Sequence, residues 1–453
     1  MNGTSASKTP NWFDRTFHLA ENGTTVRTEV VAGVTTFMTM AYIIAVNPAV
    51  LSRPPGGGDG PALHATVAAT CLAAALPTLL MGFWANYPIA LASGMGLNAA
   101  LVATISVSAG ITWQTMMGVV FVEGCIIAVL VLTRTREWVM NCIPMDLKRA
   151  FAVGIGLLIA ILGLHNAHWI GSTPGPGGLP LITTPIGNFR LPSALIATFG
   201  IGLTCVLLVR RVRGALLLGI ACTTALAFVT RQAAPPDGVF ALPDLSTFGR
   251  LDIAGALQPA LVTVIFSFLL TDFFDTMGSV VAITGQSGHL RPDGTVPRLK
   301  RVLLVDSFGA IWGGMCSASS VTTYIESASG VAEGGRTGLT SVVVAVLFIL
   351  AMFTAPLIAS VPPEATAAAL VVVGFLMMKS IREIDFGDLY GALPAFLAIL
   401  VIPLTMSIAR GIGTGLIAYA AIHGLTGRAR TVPPAVWVLA VMFAASFAME
   451  GLK

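Results

Sequence analysis

Residues 259–284 read Pro-Ala-Leu-Val-Thr-Val-Ile-Phe-Ser-Phe-Leu-Leu-Thr-Asp-Phe-Phe-Asp-Thr-Met-Gly-Ser-Val-Val-Ala-Ile-Thr. The stretch contains no lysine or arginine. As an α-helix it extends about 39 Å, more than the ~30 Å hydrocarbon core of a bilayer. A soluble amphipathic helix of this length would carry a charged face; here the only charges are Asp272 and Asp275. The stretch therefore reads as a membrane span with two acids at depth.

The same pattern recurs outward in both directions. Apolar runs fall at 29–51, 65–84, 88–107, 112–133, 147–167, 192–210 and 213–231, then at 259–284, 300–318, 320–335, 336–360, 364–381, 389–424 and 432–450. That is about fourteen segments in two sets of seven. The run 389–424 is too long for one straight span, and Arg410-Gly-Ile-Gly-Thr-Gly415 interrupts it; it is a kinked helix or two pieces. The fold class expected is an all-α polytopic membrane protein.

Composition agrees. Of 453 residues, 55% are hydrophobic and 10% charged, against about 25% charged in soluble domains. The net charge of +4 is small and scattered, which argues against nucleic acid as a partner. The six cysteines (71, 125, 142, 205, 222 and 316) form no CxxC pair and read as small buried hydrophobes. The first 28 residues are polar, with no apolar core behind a basic start. They are expected to stay on the cytoplasmic side as an N-terminal segment, with the first span acting as anchor.

With the N-terminus inside, lysines and arginines favour the cytoplasmic side by about three to one. Both termini are then expected to be cytoplasmic, in a multi-pass protein of the cytoplasmic membrane. Arg428 and Arg430 fall on the wrong side of this map, and Arg410 falls within a span.

A seven-span repeat is odd-numbered, so its second copy is inverted in the membrane, a common plan for secondary transporters. The third span of each set is small and polar: Ser93-Gly-Met-Gly-Leu-Asn98 and Tyr324-Ile-Glu-Ser-Ala-Ser-Gly330. Both read as broken helices whose free backbone groups can face a ligand.

Ionised groups at membrane depth are costly and therefore candidates for function. Asp272, Asp275 and Ser279 share one helix face at i, i+3 and i+7. Two acids one turn apart repel each other, which suits either proton coupling or hydrogen bonding to a neutral heterocycle; bracing a neighbouring helix is the plainer role. Glu326, beside Tyr324 and Ser327, can accept ring N–H groups or pin two half-helices. Glu333 and Arg336 flank Gly334–Gly335 and are expected to pair. Glu123 and Asp306 read as lone acids supporting the core. Asn98 offers a donor and an acceptor to a planar ligand. Thr35, Thr39 and Tyr42 form a polar stripe equally typical of interhelical bonding. Phe37, Phe273, Phe274 and Tyr324 are candidates to stack on a flat ligand. There is no phosphate-binding loop, catalytic triad or metal-ligand cluster, so neither an enzyme nor an ATP-driven pump is expected, and no cofactor beyond a coupling proton.

These residues carry a resemblance. Glu29–Ile44 with Asn47-Pro48, Gly94–Ala99, Thr271–Gly278 and Thr323–Gly338 resemble the nucleobase cation symporter-2 superfamily (nucleobase–ascorbate transporters), in its AzgA-like purine permease branch. The resemblance implies fourteen spans in two inverted seven-span repeats. A core domain would comprise 29–133 (spans 1–4) and 259–360 (spans 8–11). A gate domain would comprise 134–231 (spans 5–7) and 361–450 (spans 12–14). Half-helices in spans 3 and 10 would hold the base. Gly96 and Asn98 match the span-3 site, Asp272 and Asp275 the span-8 acids, and Glu326 the span-10 acid.

The activity so implied is proton-coupled uptake of purine nucleobases (hypoxanthine, guanine, adenine) by elevator-type alternating access, with a homodimer possible through the gate domain. Substrate contacts would fall to Asp275, Glu326, Asn98, Gly96, Tyr324, Ser279, Thr35 and Ser327, and proton coupling to Asp272, Asp275 and Glu326. Relatives in the superfamily tend to have Glu where Asp275 stands, and some have His where Ser279 stands, so a histidine relay does not fit. The alternatives are transport of xanthine or uracil, or of a small anion on the same fold; a receptor or scaffold leaves the broken spans unexplained.

Overall fold

The computed structural model describes residues 12–52, 60–107, 110–133, 143–170, 173–174, 180–181, 191–236, 238–289, 291 and 296–451. Lys8, Arg53, Arg134, Arg136, Cys142, Arg190, Lys453 and the side chain of Phe274 lie outside the described residues.

A short helix α1 (Trp12–Phe17) precedes a split first span, α2 (Val26–Met40) and α3 (Ile43–Leu51). Next come α4 (Leu63–Leu80), running on through a π turn to Ala85, strand β1 (Leu91–Ser93) leading into α5 (Met95–Val107), and α6 (Trp113–Leu132). The first set closes with α7 (Met145–Asn166), α8 (Pro192–Val209) and α9 (Ala215–Val229). The second set opens with α10 (Val262–Gln286) and α11 (Leu299–Cys316), then β2 (Val321–Thr323) with α12 (Ser327–Ala332). It continues with α13 (Gly338–Ala351), extended by α14 (Ala355–Ala359), then α15 (Pro363–Met377), α16 (Leu389–Thr405), α17 (Ile408–Leu425) and α18 (Pro434–Gly451). Among the described residues eight helices are long and apolar enough to cross a membrane, and four shorter ones are apolar. Helices satisfy their own backbone groups, which hydrocarbon requires. Exposed Val209, Val229, Phe375, Leu404 and Val438 give the bundle an apolar exterior.

The packing follows an inverted repeat. α8 packs on α15 as α16 packs on α7, and α8 pairs with α9 as α16 pairs with α17. Likewise α9 touches α2 where α17 touches α10. The seven-plus-seven plan thus runs from α2 to α17.

The long run 389–424 is two helices. Met406 turns the chain with a positive φ of 51°, and α17 folds back along α16. The glycines around Arg410 do not break the helix; they admit neighbours, and a Cβ on Gly415 would lie 3.0 Å from Ala398 Cβ. One correction follows. Arg428 stacks over Tyr390 at 4.0 Å, at the start of α16, so it lies on the face that also holds the Arg149–Glu383 ion pair. The two arginines that had seemed misplaced join the basic side. A second correction concerns the C-terminus. α18 runs antiparallel along α17: Trp437 packs on Gly424, and Phe443 and Phe447 on Gly413. It is an added helix beyond the fourteen.

Spans 3 and 10 meet as strands in the middle of the bundle. Leu91 pairs with Thr323, Ala92 with Thr322 and Ser93 with Val321, antiparallel. Extended backbone at this depth must be satisfied by protein, and it is. Gly94 N donates to Ser320 O and Tyr324 N to Ala90 O, both at 2.9 Å, while the Thr78 hydroxyl donates to Leu91 O and accepts from Leu91 N. Gly309 lets β2 approach α11: a Cβ there would lie 2.8 Å from Val321 O.

Candidate functional site

α10 carries the acids. Its apolar turns are helical because hydrocarbon leaves the backbone no other partner. Asp275 lies midway along the helix, yet its side chain is exposed. An acid exposed at that depth suits an opening into the bundle. Its Oδ2 accepts from Thr322 Oγ1 of β2 at 3.3 Å. Three residues earlier, Asp272 is fully buried and faces the interior.

Glu326 sits where β2 gives way to α12. It is partly exposed, and Oε1 accepts from Tyr42 OH, at the break of the first span, at 2.9 Å. Asp275 and Glu326 act on each other electrostatically, so the structure brings these two acids to one place. Ile325, between Tyr324 and Glu326, is 48% exposed and supplies an apolar surface beside them. Two acceptors next to an apolar wall suit a flat molecule with N–H groups on its edge.

The other expected site residues divide. Tyr324 is buried, and its hydroxyl donates to Ser93 O at 2.5 Å; the ring braces span 3 against span 10. Ser327 is buried and accepts from Ala90 N at 3.0 Å. Asn98 is fully buried, and its Nδ2 donates to Asn47 Oδ1 at 2.6 Å, so its amide faces the interior rather than the opening at Asp275. Thr35 and Ser279 are buried, and the Thr35 carbonyl accepts from Thr39 Oγ1. Gly96 is partly exposed at the start of α5, where a Cβ would lie 2.9 Å from Ile155 of α7 and 3.9 Å from Met377 of α15. Of the stacking candidates, Phe273 is buried and Phe37 packs edge-on against Phe348 at 5.2 Å.

Further corrections concern charges. Glu333 pairs with Arg213, from the turn between α8 and α9, not with Arg336, whose guanidinium donates to Val331 O and Gly335 O. Glu123 and Asp306 are not lone acids: they act on each other across α6 and α11. Cys71 and Cys316 are buried as expected, whereas Cys205 and Cys222 are exposed on the apolar exterior.

Two polar residues were missed as structural centres. Asn47 Nδ2 reaches Thr70 Oγ1 at 2.9 Å, Ser93 Oγ at 3.3 Å and Ala318 O at 3.2 Å, tying span 1 to span 2, span 3 and the lead into span 10. Glu29 is fully buried and caps α13, accepting from Arg336 N at 2.8 Å, Thr337 N at 3.2 Å, Thr340 N at 3.2 Å and Thr340 Oγ1 at 2.5 Å. A carboxylate at a helix N-terminus satisfies orphan donors and the dipole together. The signal was an acid at the mouth of an apolar run. Outside the spans, His289 bonds to Ser287 and Asn22. Burial first, then the Arg298 and Arg336 cations, pushes its imidazole below the ordinary value. Among the described residues no cluster is able to hold a metal ion.

The chain matches the Permease family (Xan_ur_permease) over residues 27–414. It is 46% identical to a putative permease of Methanocaldococcus jannaschii, MJ0326, over 96% of this chain and 98% of that one. It is 39% identical to adenine permease AdeP of Escherichia coli K12, over 97% of each. Identity is 38% with guanine/hypoxanthine permease PbuO of Bacillus subtilis, over 94% of this chain and 98% of that one. Among solved structures, the transmembrane domain of the cyanobacterial bicarbonate transporter BicA superposes with a TM-score of 0.60 at 17% identity, covering 84% of this chain and 96% of that one. That likeness is one of fold, the seven-plus-seven inverted repeat.

Proposed function

The chain belongs to this permease family, the nucleobase–ascorbate transporters, and from that premise we propose that it is a secondary active transporter importing purine nucleobases by proton symport. The names of its relatives support adenine, guanine and hypoxanthine as substrates. One observation carries the site assignment: Asp275 and Glu326, both open to solvent deep in the bundle, act on each other beside an apolar surface. Carboxylates accept hydrogen bonds only, and purines present ring and exocyclic N–H groups. Ile325 packs on the ring face. Gly96 keeps the approach from α5 open, and Asn98, Tyr324, Ser327, Thr35 and Ser279 hold the surrounding backbone. A small anion would meet two carboxylates here, which disfavours that reading despite the fold.

The coupling proton rides on the acids of the core domain (29–133 with 259–360), with Asp272, Asp275 and Glu326 as its expected carriers. The core slides as a unit against the gate (134–231 with 361–450), along a seam that includes the Gly96–Ile155 approach and the Arg213–Glu333 pair. The protein sits in the cytoplasmic membrane with its basic face and N-terminus inside. The gate helices are the surface on which two copies would meet. Uptake of labelled adenine, guanine, hypoxanthine and uracil into proteoliposomes, with and without an inward proton gradient, tests this reading. Purine accumulation driven by the gradient is expected; equal accumulation without it refutes symport.

A further inference from the structure

The first span is broken where it meets Glu326. α2 ends at Met40 and α3 begins at Ile43, so Ala41 and Tyr42 form the link. Tyr42 is 1% exposed, and a buried tyrosine hydroxyl needs a partner. That partner is the acid: Tyr42 OH donates to Glu326 Oε1 at 2.9 Å. Tyr324 stands close to Tyr42, but its own hydroxyl proton goes to Ser93 O.

The same face of α2 holds the backbone behind the acid. Ser329 Oγ donates to Glu326 O at 2.7 Å and lies 2.8 Å from Thr39 Oγ1, one turn before Tyr42. α12 sits tightly on α2, since a Cβ on Gly330 would lie 2.5 Å from Ala32 O. Two members of the polar stripe seen in the sequence, Thr39 and Tyr42, therefore converge on Glu326.

The energetic consequence follows from the side chain. Glutamate has three rotatable bonds, and an unanchored one at an opening samples many rotamers. A substrate must then order it, which weakens binding. An ionised carboxylate has about four lone-pair sites, so the Tyr42 bond occupies one and leaves Oε2 for an entering N–H. Deleting the hydroxyl would free Oε1, but at a site open to solvent water takes up that oxygen. The loss of orientation dominates.

We propose that Tyr42 is a positioning residue for base binding: its hydroxyl holds Glu326 in the rotamer that meets an N–H of the purine. The inference rests on the reading above that Glu326 meets the base, and it states how the acid is kept ready. Tyr42 acts through the acid and does not itself contact the base.

The test uses the full chain in liposomes, comparing wild type, Tyr42→Phe, Glu326→Gln and the double variant. Phe keeps the ring that fills the break and removes only the hydroxyl. Saturation curves for exchange of labelled adenine and hypoxanthine give the half-saturating concentration and the maximal rate. Tyr42→Phe is expected to raise the half-saturating concentration at least about threefold, with the maximal rate and the thermal unfolding midpoint near those of wild type. In the Glu326→Gln background the same change should cost less, because a hydroxyl bonds a neutral amide more weakly than a carboxylate. A purely structural role predicts a lower midpoint, a fall in maximal rate alone, or the same fold-change in both backgrounds; any of these overturns the proposal. Glu326→Gln with wild-type half-saturation sinks the site reading itself. An impaired Glu326→Gln beside an unaltered Tyr42→Phe sinks only this assignment.

Discussion

Replacing Asp275 by Asn removes the charge and little else. Asn keeps the shape and leaves an oxygen for Thr322 Oγ1, which now donates to Oδ2 at 3.3 Å. Folding and membrane abundance should therefore hold. What changes is the partner offered to the substrate. A hydrogen bond to a charged acceptor contributes about 1.5–3 kcal/mol, and each 1.4 kcal/mol is tenfold in affinity. Losing one such bond weakens base binding by about 10- to 150-fold. At base concentrations well below saturation, initial uptake should fall by the same factor. The assay is uptake of labelled adenine and hypoxanthine in cells lacking their own permeases, normalised to protein in the membrane fraction. Thr322→Val is the control: it deletes the protein's own donor to Asp275 and should cost far less. Uptake by Asp275→Asn at wild-type rates, with equal abundance, would show that the carboxylate does not meet the substrate.

Other parts of the structure make separate claims. Glu29→Ala leaves the donors at the start of α13 without their buried acceptor and should cost about 3 kcal/mol, seen as a clear fall in the thermal unfolding midpoint in detergent; an unchanged midpoint refutes the capping role. His289 has its imidazole pushed down mainly by burial, so its folded value lies below its unfolded one. Its contribution to stability is complete above the unfolded value of about 6.5 and is lost as pH falls through the lower folded value. Unfolding midpoints of His289→Gln should accordingly vary less with pH, over the range from 6.5 downward, than those of wild type. Because α18 returns along α17, tags at the two ends of the chain should be labelled from opposite sides of sealed vesicles; labelling from one side contradicts the added helix.

The spans were legible because hydrocarbon imposes length and apolarity on each one separately, and neither depends on distant residues. The break at Met406–Ser407 was not, since a left-handed methionine carries no turn signature, while the glycine run that looked like a break is a packing surface. The site was legible in part for a related reason. A charge at depth announces itself in any apolar run, so Asp275 and Glu326 stand out. Asn98 stands out equally, yet its direction is set by Asn47, 51 residues earlier in the chain. The pairing of Glu123 with Asp306 and of Arg213 with Glu333 likewise depends on which helices touch, and no local pattern records that.

Exposure then sorts the acids in a way the sequence alone does not. Asp275 is exposed and Glu326 partly so, and each accepts from one side-chain hydroxyl among the described residues, which leaves acceptor capacity for something that enters. Glu29 is sealed from solvent, but three backbone N–H groups and a hydroxyl meet it, so its charge is compensated where it stands. Asp306 is sealed and receives Thr276. Glu123 is sealed and faces another acid. A buried carboxylate without donors is the costliest of these arrangements.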